Sequence, residues 1–158
     1  VLGGVNDVLA EKLGLEKTVA LVKNDDNCGA LGRVGYLPHK MEFEKFAQIV
    51  KEALGLSFVT GISAGKAVYK VALCGGAGID FIAEALEQGA DTYVTGDIKY
   101  HEAQNAVFSG LNLIDATHQG TELPVVAVLA DKLSLRLAAA GFAAQVLTAS
   151  ETLLFKQY

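Results

Sequence analysis

Two pairs of residues in this chain have the types and spacing needed for metal or acid–base chemistry. Asp97 and His101 lie in Thr95-Gly96-Asp97-Ile98-Lys99-Tyr100-His101, and His118 and Glu122 lie in His118-Gln119-Gly120-Thr121-Glu122. Imidazole nitrogen and carboxylate oxygen together suit a divalent metal such as zinc, manganese or iron. The members of each pair are one helical turn apart, so on a helix they share a face. A catalytic metal needs about three protein ligands. His118 and Glu122 supply two from one turn, and the others must come from elsewhere. Asp97 and His101 suit a different role, orienting water or moving a proton. Each residue also has a plainer reading. Asp97 fits a helix N-cap, and His101 fits an exposed first-turn position. Glu122 would complement a helix dipole, and His118 would be a turn residue. His39, in the segment Leu37-Pro38-His39-Lys40, reads as a surface loop residue.

The elements that must position these side chains follow from the apolar pattern. Residues 6–13 read as a short helix stopped by Gly14, and Thr18–Val22 as a strand. Residues 23–30 (KNDDNCGA) form a loop. Gly32–Leu37 reads as a strand or strand edge. Phe43, Phe46, Ile49, Val50 and Leu54 make a helical stripe ended by Gly55. Ser57–Thr60 reads as a strand, and Val68–Cys74 is an apolar run suited to a strand buried on both faces. From there strands and helices alternate: helix 79–88, strand 91–95, helix 99–109, strand 111–115, helix 123–140 with Thr121 as a candidate N-cap, and a final strand 144–147. Alternation of this kind predicts βαβ crossovers, an α/β fold and a mostly parallel sheet with flanking helices.

Three strands end in distinctive residues: Gly75-Gly76-Ala77-Gly78, Gly96-Asp97, and Asp115-Ala116-Thr117-His118. In a parallel sheet these turns share the carboxyl edge, where ligands bind. The Gly75–Gly78 loop reads equally as a tight strand-to-helix turn and as an anion cradle or a lining of the site. It lacks the third glycine of a dinucleotide fingerprint and the Lys-Ser/Thr ending of a P-loop.

At 158 residues and 51% hydrophobic, the chain is one ordinary α/β unit with ample core. No apolar run approaches the roughly 20 residues needed to span a membrane. A net charge of −5 disfavours non-specific binding to nucleic acid or anionic membrane. Cys28 and Cys74 are far apart with no CxxC partner and read as cytoplasmic thiols, Cys74 within a strand. Any second small unit would fall within residues 30–65. The chain opens on Val1 and runs directly into a helix pattern, which reads as a truncated or processed polypeptide.

Taken together, Val71–Gly76, Thr95–His101, Gly110–Asp115, His118 and Thr121-Glu122 resemble the Nif-three-like dinuclear metal-centre proteins, also called GTP cyclohydrolase 1 type 2 homologues. Gly32–Gly35 and Gly3-Gly4-Val5-Asn6-Asp7 match further segments, so the resemblance covers nearly the whole chain. It implies a two-lobed α/β fold around a pair of metal ions, and a homohexameric ring built from dimers. His118 and Glu122 stand at the positions of two metal ligands, and Asp97 and His101 match residues near the site. The family's other ligands, an adjacent histidine pair and an aspartate, belong to an N-terminal part that would precede Gly3. This chain would then be the C-terminal portion. Thr117 departs from the family pattern, which usually has glycine before the histidine.

Two metals held close together would activate water and clamp a phosphate or carbonyl oxygen. The resulting expectation is a cytoplasmic divalent-metal-dependent hydrolase acting on a nucleotide-like or phosphorylated small molecule. The alternative is a non-catalytic ring-forming scaffold whose metals are structural or regulatory.

Overall fold

The computed structural model describes residues 2–23, 30–150 and 152. In chain order the elements are α1 (Val5–Lys12), β1 (Glu16–Lys23), β2 (Ala30–Met41), α2 (Phe43–Ala53), β3 (Thr60–Ile62) and β4 (Val68–Leu73). A 3₁₀ turn (Ile79–Phe81) leads into α3 (Ile82–Glu87), followed by β5 (Thr92–Thr95), α4 (Tyr100–Phe108), β6 (Asn112–Asp115), α5 (His118–Glu122) and α6 (Pro124–Ala139). Cys28 lies outside the described residues.

All six strands join one sheet in the order β1-β2-β4-β5-β6-β3. The expectation of a mostly parallel sheet needs correction. Only β4·β5 and β5·β6 are parallel, whereas β1·β2, β2·β4 and β3·β6 are antiparallel. The parallel pairs are those joined by a helical crossover, α3 and then α4. β1 and β2 are consecutive and pair antiparallel with each other, and β2 then pairs antiparallel with β4. Residues 30–65 form no separate unit, because β2 and β3 belong to the common sheet.

Alternation along the strands sends side chains to two cores. On one face Val71, Leu73, Val94 and Ile114 pack with Leu9 of α1 and with Phe46 and Val50 of α2. On the other, Ala72, Tyr93 and Leu113 pack with Ala85 of α3 and Ala106 of α4. A buried side chain of this size contributes roughly 1.5–3 kcal/mol, so the two cores hold β4, β5 and β6 rigidly from both sides. The predicted helix stops hold as well. Gly14 (φ +67) donates to Glu11 O and Leu15 to Ala10 O, closing α1 with the paired bonds of a Schellman end. Gly55 and Leu56 close α2 in the same way on Glu52 O and Lys51 O.

Other expectations are revised. β2 runs on through Pro38 and His39, which the pattern had placed in a loop. The register shift between Tyr36 and Met41 accommodates the missing proline N–H. The strand expected at 57–60 is instead Thr60–Ile62, paired with β6. Residues 144–147 form no strand and are mostly exposed. Both edges of the sheet are already β1 and β3, and neither pairs with this segment. α6 has the expected extent, yet buries none of its residues.

Candidate functional site

The parallel strands β4, β5 and β6 are neighbours, so the turns that follow them converge at one edge of the sheet. This is the arrangement that the three distinctive strand ends implied. The turn after β6 enters α5, and His118 and Glu122 occupy the first and last positions of that helix. Their side chains meet on its outer face, with His118 Nε2 3.5 Å from Glu122 Oε2.

Asp97 comes from the turn after β5. Its Oδ2 lies 2.6 Å from His118 Nδ1. The three side chains are each about half exposed, at 48% for Asp97 and His118 and 49% for Glu122. Hydrogen bonding to Asp97 is the main reason the His118 imidazole is held above its ordinary pKa. Slight burial opposes the shift, and the charges of Glu122 and Asp97 add to it. In the neutral ring a carboxylate on Nδ1 fixes the proton there and leaves the Nε2 lone pair facing Glu122.

Asp97 is not the N-cap of α4. That helix begins at Tyr100, with Lys99 at the cap position donating its backbone N–H to Glu102 Oε2 at 3.0 Å. Asp97 instead adopts φ +58, which turns it towards His118 and away from α4. His101 sits exposed on the first turn of α4, edge-on to Tyr100 at 5.4 Å between ring centroids. Among the described residues, no hydrogen bond or ion pair joins His101 to Asp97, His118 or Glu122. The structure therefore assembles Asp97, His118 and Glu122 and leaves His101 outside that group. His39 is exposed on β2, a surface residue as read but on a strand.

Glycines allow these turns to approach one another. A Cβ on Gly76 (φ +71) would stand 2.8 Å from Glu122 Oε1 and 3.2 Å from His118 Nε2. A Cβ on Gly96 would stand 2.5 Å from the His118 backbone N. The Gly75–Gly78 loop is thus the wall behind the His118–Glu122 pair. It is a poor anion cradle, because the N–H groups of its three glycines are already taken. Gly75 donates to Asn6 Oδ1 (2.8 Å), Gly76 to Thr121 Oγ1 (2.8 Å) and Gly78 to Thr95 Oγ1 (2.9 Å). The loop is thus a tight turn that also stands against His118 and Glu122, and not an anion cradle.

Thr121 is not an N-cap. It is buried inside α5, and its hydroxyl donates to His118 O at 2.8 Å while accepting from Gly76. The long helix α6, for which Thr121 was the candidate, follows Leu123 with no side-chain cap, whereas α5 is capped by Thr117, whose Oγ1 accepts from Gly120 N at 3.0 Å. Thr117 has φ +62 and ψ +155, a region open essentially to glycine alone. The glycine that the resemblance leads one to expect at this position would relieve that backbone strain.

Two contributors escaped the sequence reading. Asn6 reaches the β4 turn from α1. Asp115 accepts from Thr117 N (2.8 Å) and from Ile98 N (3.0 Å). Asp115 was visible as a strand end, but no periodicity marks such long-range partners. Nearby, Asp7 Oδ1 pairs with Arg33 Nε at 2.5 Å. Burial pushes the Asp7 carboxyl up, but the Arg33 guanidinium and the Gly3 N–H outweigh it and hold the group below the usual range. Cys74 is buried as expected, although β4 ends one residue before it, and burial raises its thiol pKa.

As a metal site the cluster is partial. Among the described residues, no three His, Cys, Asp or Glu side chains are arranged to hold an ion. The donor chemistry of His118 and Glu122 fits one side of such an ion, with Asp97 in the supporting place behind the imidazole.

Comparisons with known proteins bear on the family and the fold. A family model described as Duf34/NIF3 (NGG1p interacting factor 3) matches residues 1–152. A Clostridium perfringens protein named GTP cyclohydrolase 1 type 2 homolog is 33% identical over 139 residues, covering 87% of this chain and 53% of that protein. A Streptococcus pneumoniae protein of the same name is 37% identical over 123 residues, covering 75% and 46%. The crystal structure of a Bacillus cereus protein related to NIF3 superposes with a TM-score of 0.87 at 22% identity, over 99% of this chain and 70% of that one. The chain thus spans about half the length of the curated relatives it matches.

Proposed function

The chain belongs to the Duf34/NIF3 family, and from that premise we propose that it carries one side of a divalent metal site in a metal-dependent hydrolase. Its substrate would be a nucleotide-like or phosphorylated small molecule. The observation that carries this reading is the His118 ring, tied at Nδ1 to Asp97 and presenting Nε2 towards Glu122. That is how a metal-bound histidine is oriented by an outer carboxylate. The name GTP cyclohydrolase 1 type 2 homolog, borne by the relatives, is compatible with a nucleotide-like substrate.

His118 and Glu122 would hold the metal, which is zinc, manganese or iron by its donor set. The remaining ligands, and a second ion, would come from the family's histidine pair and aspartate, in sequence that would precede Gly3. When bound, a metal of this kind lowers the pKa of coordinated water and polarises a substrate oxygen. Asp97 fixes the His118 tautomer and ring plane. Gly76 keeps the wall of the site open beside Nε2. His101 serves in this scheme only if the substrate reaches the first turn of α4. Assembly into a homohexameric ring and a cytoplasmic location complete the reading. The first rests on the family resemblance and the second on the reading of the cysteines as thiols with no CxxC partner. No helix among the described residues is long and apolar enough to cross a membrane.

Elemental metal analysis of the full-length protein, beside its His118→Ala and Glu122→Ala variants, tests the reading. Two metals per chain, reduced in both variants with oligomer size unchanged, is the expected result. Background metal in all three proteins would overturn it. Retained ring assembly and partner binding would then favour the scaffold alternative.

A further inference from the structure

The two turns that bring Asp97 and His118 together are both unfavourable for the residues they contain. The described non-glycine residues with positive φ are Lys17, Asp97 and Thr117, and two of these three flank the imidazole–carboxylate pair. Such conformations are disfavoured for residues with a side chain and persist only where the surroundings impose them. Packing alone is a weak constraint here, because Asp97 and His118 are half exposed.

One side chain is hydrogen-bonded to both turns. Asp115 is the last residue of β6, in register beside Thr95 of β5. Its Oδ1 accepts from Thr117 N at 2.8 Å, at the strained residue just before His118. Its Oδ2 accepts from Ile98 N at 3.0 Å, at the residue just after Asp97. The carboxylate therefore stands between the two turns with one oxygen for each. Below it, Ala116 N donates to Thr95 O at 2.9 Å and prolongs the β5–β6 pairing to the base of the site.

We propose that Asp115 is a positioning residue, whose two oxygens lock the turns after β5 and β6 so that Asp97 meets Nδ1 of His118. The role rests on the reading of His118 as a metal ligand only for its purpose, since the positioning itself is a property of the metal-free chain. A carboxylate suits the task because both oxygens accept, whereas the isosteric amide offers one acceptor and one donor. Asp115→Asn keeps the shape, but sets an NH₂ against one of the two backbone N–H groups.

The test is ring ¹H–¹⁵N correlation spectroscopy of the metal-free protein, at a pH where His118 is neutral, on the parent, Asp115→Asn and Asp97→Ala. The parent should show His118 as the single Nδ1-protonated tautomer. Both variants should show mixed tautomers, with backbone amide shifts unchanged outside the two turns. A single Nδ1-protonated tautomer in Asp115→Asn would overturn the proposal. Should that variant fail to fold, amide hydrogen exchange in the parent decides: the Ile98 and Thr117 amides should be protected alongside those of β6, and exchange at the rate of free amides in either would overturn it. Metal analysis is read separately. A tautomer effect without metal uptake would sink the metal-site reading alone, and metal uptake without a tautomer effect would sink the positioning role alone.

Discussion

Asp97 Oδ2 and His118 Nδ1 meet at 2.6 Å across the turns of two neighbouring parallel strands, although 21 residues separate them. The contact fixes which imidazole nitrogen is free. Supporting carboxylates of this kind are worth about 10–100-fold in metal affinity. Asp97→Ala should weaken zinc binding by that factor in competition titrations, leaving the melting temperature nearly unchanged. Unchanged affinity would mean that the carboxylate serves another purpose.

Gly76 is the point of the site wall that faces both His118 and Glu122. In Gly76→Ala the new methyl group would meet Glu122 Oε1, and the backbone would hold alanine at φ +71. A left-handed residue with a Cβ costs roughly 1–2 kcal/mol. Glu122 can swing aside, but only by leaving Nε2 of His118. Both a lower denaturation midpoint and reduced metal uptake should result. A loss of stability with metal uptake intact would show that Glu122 does not need its present position.

Thr117 holds a conformation suited to glycine while capping α5 through Oγ1. Thr117→Gly removes strain of about 1–3 kcal/mol and loses only a few tenths of a kcal/mol at the cap. A net gain of about 1 kcal/mol is expected, readable as a higher urea midpoint. Thr117→Ala keeps the strain and loses the cap, and should cost about 1 kcal/mol. Equal stability of the two variants would show that the backbone is not strained there.

The Asp7–Arg33 pair sets an acid limit. Asp7 titrates below its usual value in the folded chain. Its contribution is therefore complete above the unfolded carboxyl pKa of about 3.9, and disappears as pH falls through the lower folded value. Asp7→Asn should lose about 2 kcal/mol at neutral pH and show a flatter stability profile below pH ~4. Parallel profiles for parent and variant would remove Asp7 from the acid transition.

Much of this was legible in the sequence. The apolar stripes of α2 and β4, the glycine stops at Gly14 and Gly55, and the convergence of three strand ends all follow from local periodicity and turn chemistry. Strand direction did not follow. Alternating elements announce crossovers, and they gave the parallel β4-β5-β6 core correctly. They could not announce that β2 and β3 enter antiparallel on either side of it. The helix caps were misread because Asp97 and Thr121 are good capping residues placed a few positions from the true caps, and tertiary partners outbid local preference. Asp97 binds His118, and Thr121 binds the β4 turn. Asn6 and Asp115 were missed because their partners lie 69 residues away in one case and on separate turns in the other.

The strained Thr117 also bears on how this sequence can change. Every threonine codon differs from every glycine codon at more than a single base, so relief cannot arrive in one mutational step. The single-step neighbours on the way are alanine and, according to the third base of the codon, serine or arginine, the last of which keeps the strain and loses the cap. Alanine keeps the awkward backbone and gives up the cap, and serine keeps both the cap and the strain. None of these offers an improvement for selection to hold, so threonine here is a local optimum with a better residue just out of reach.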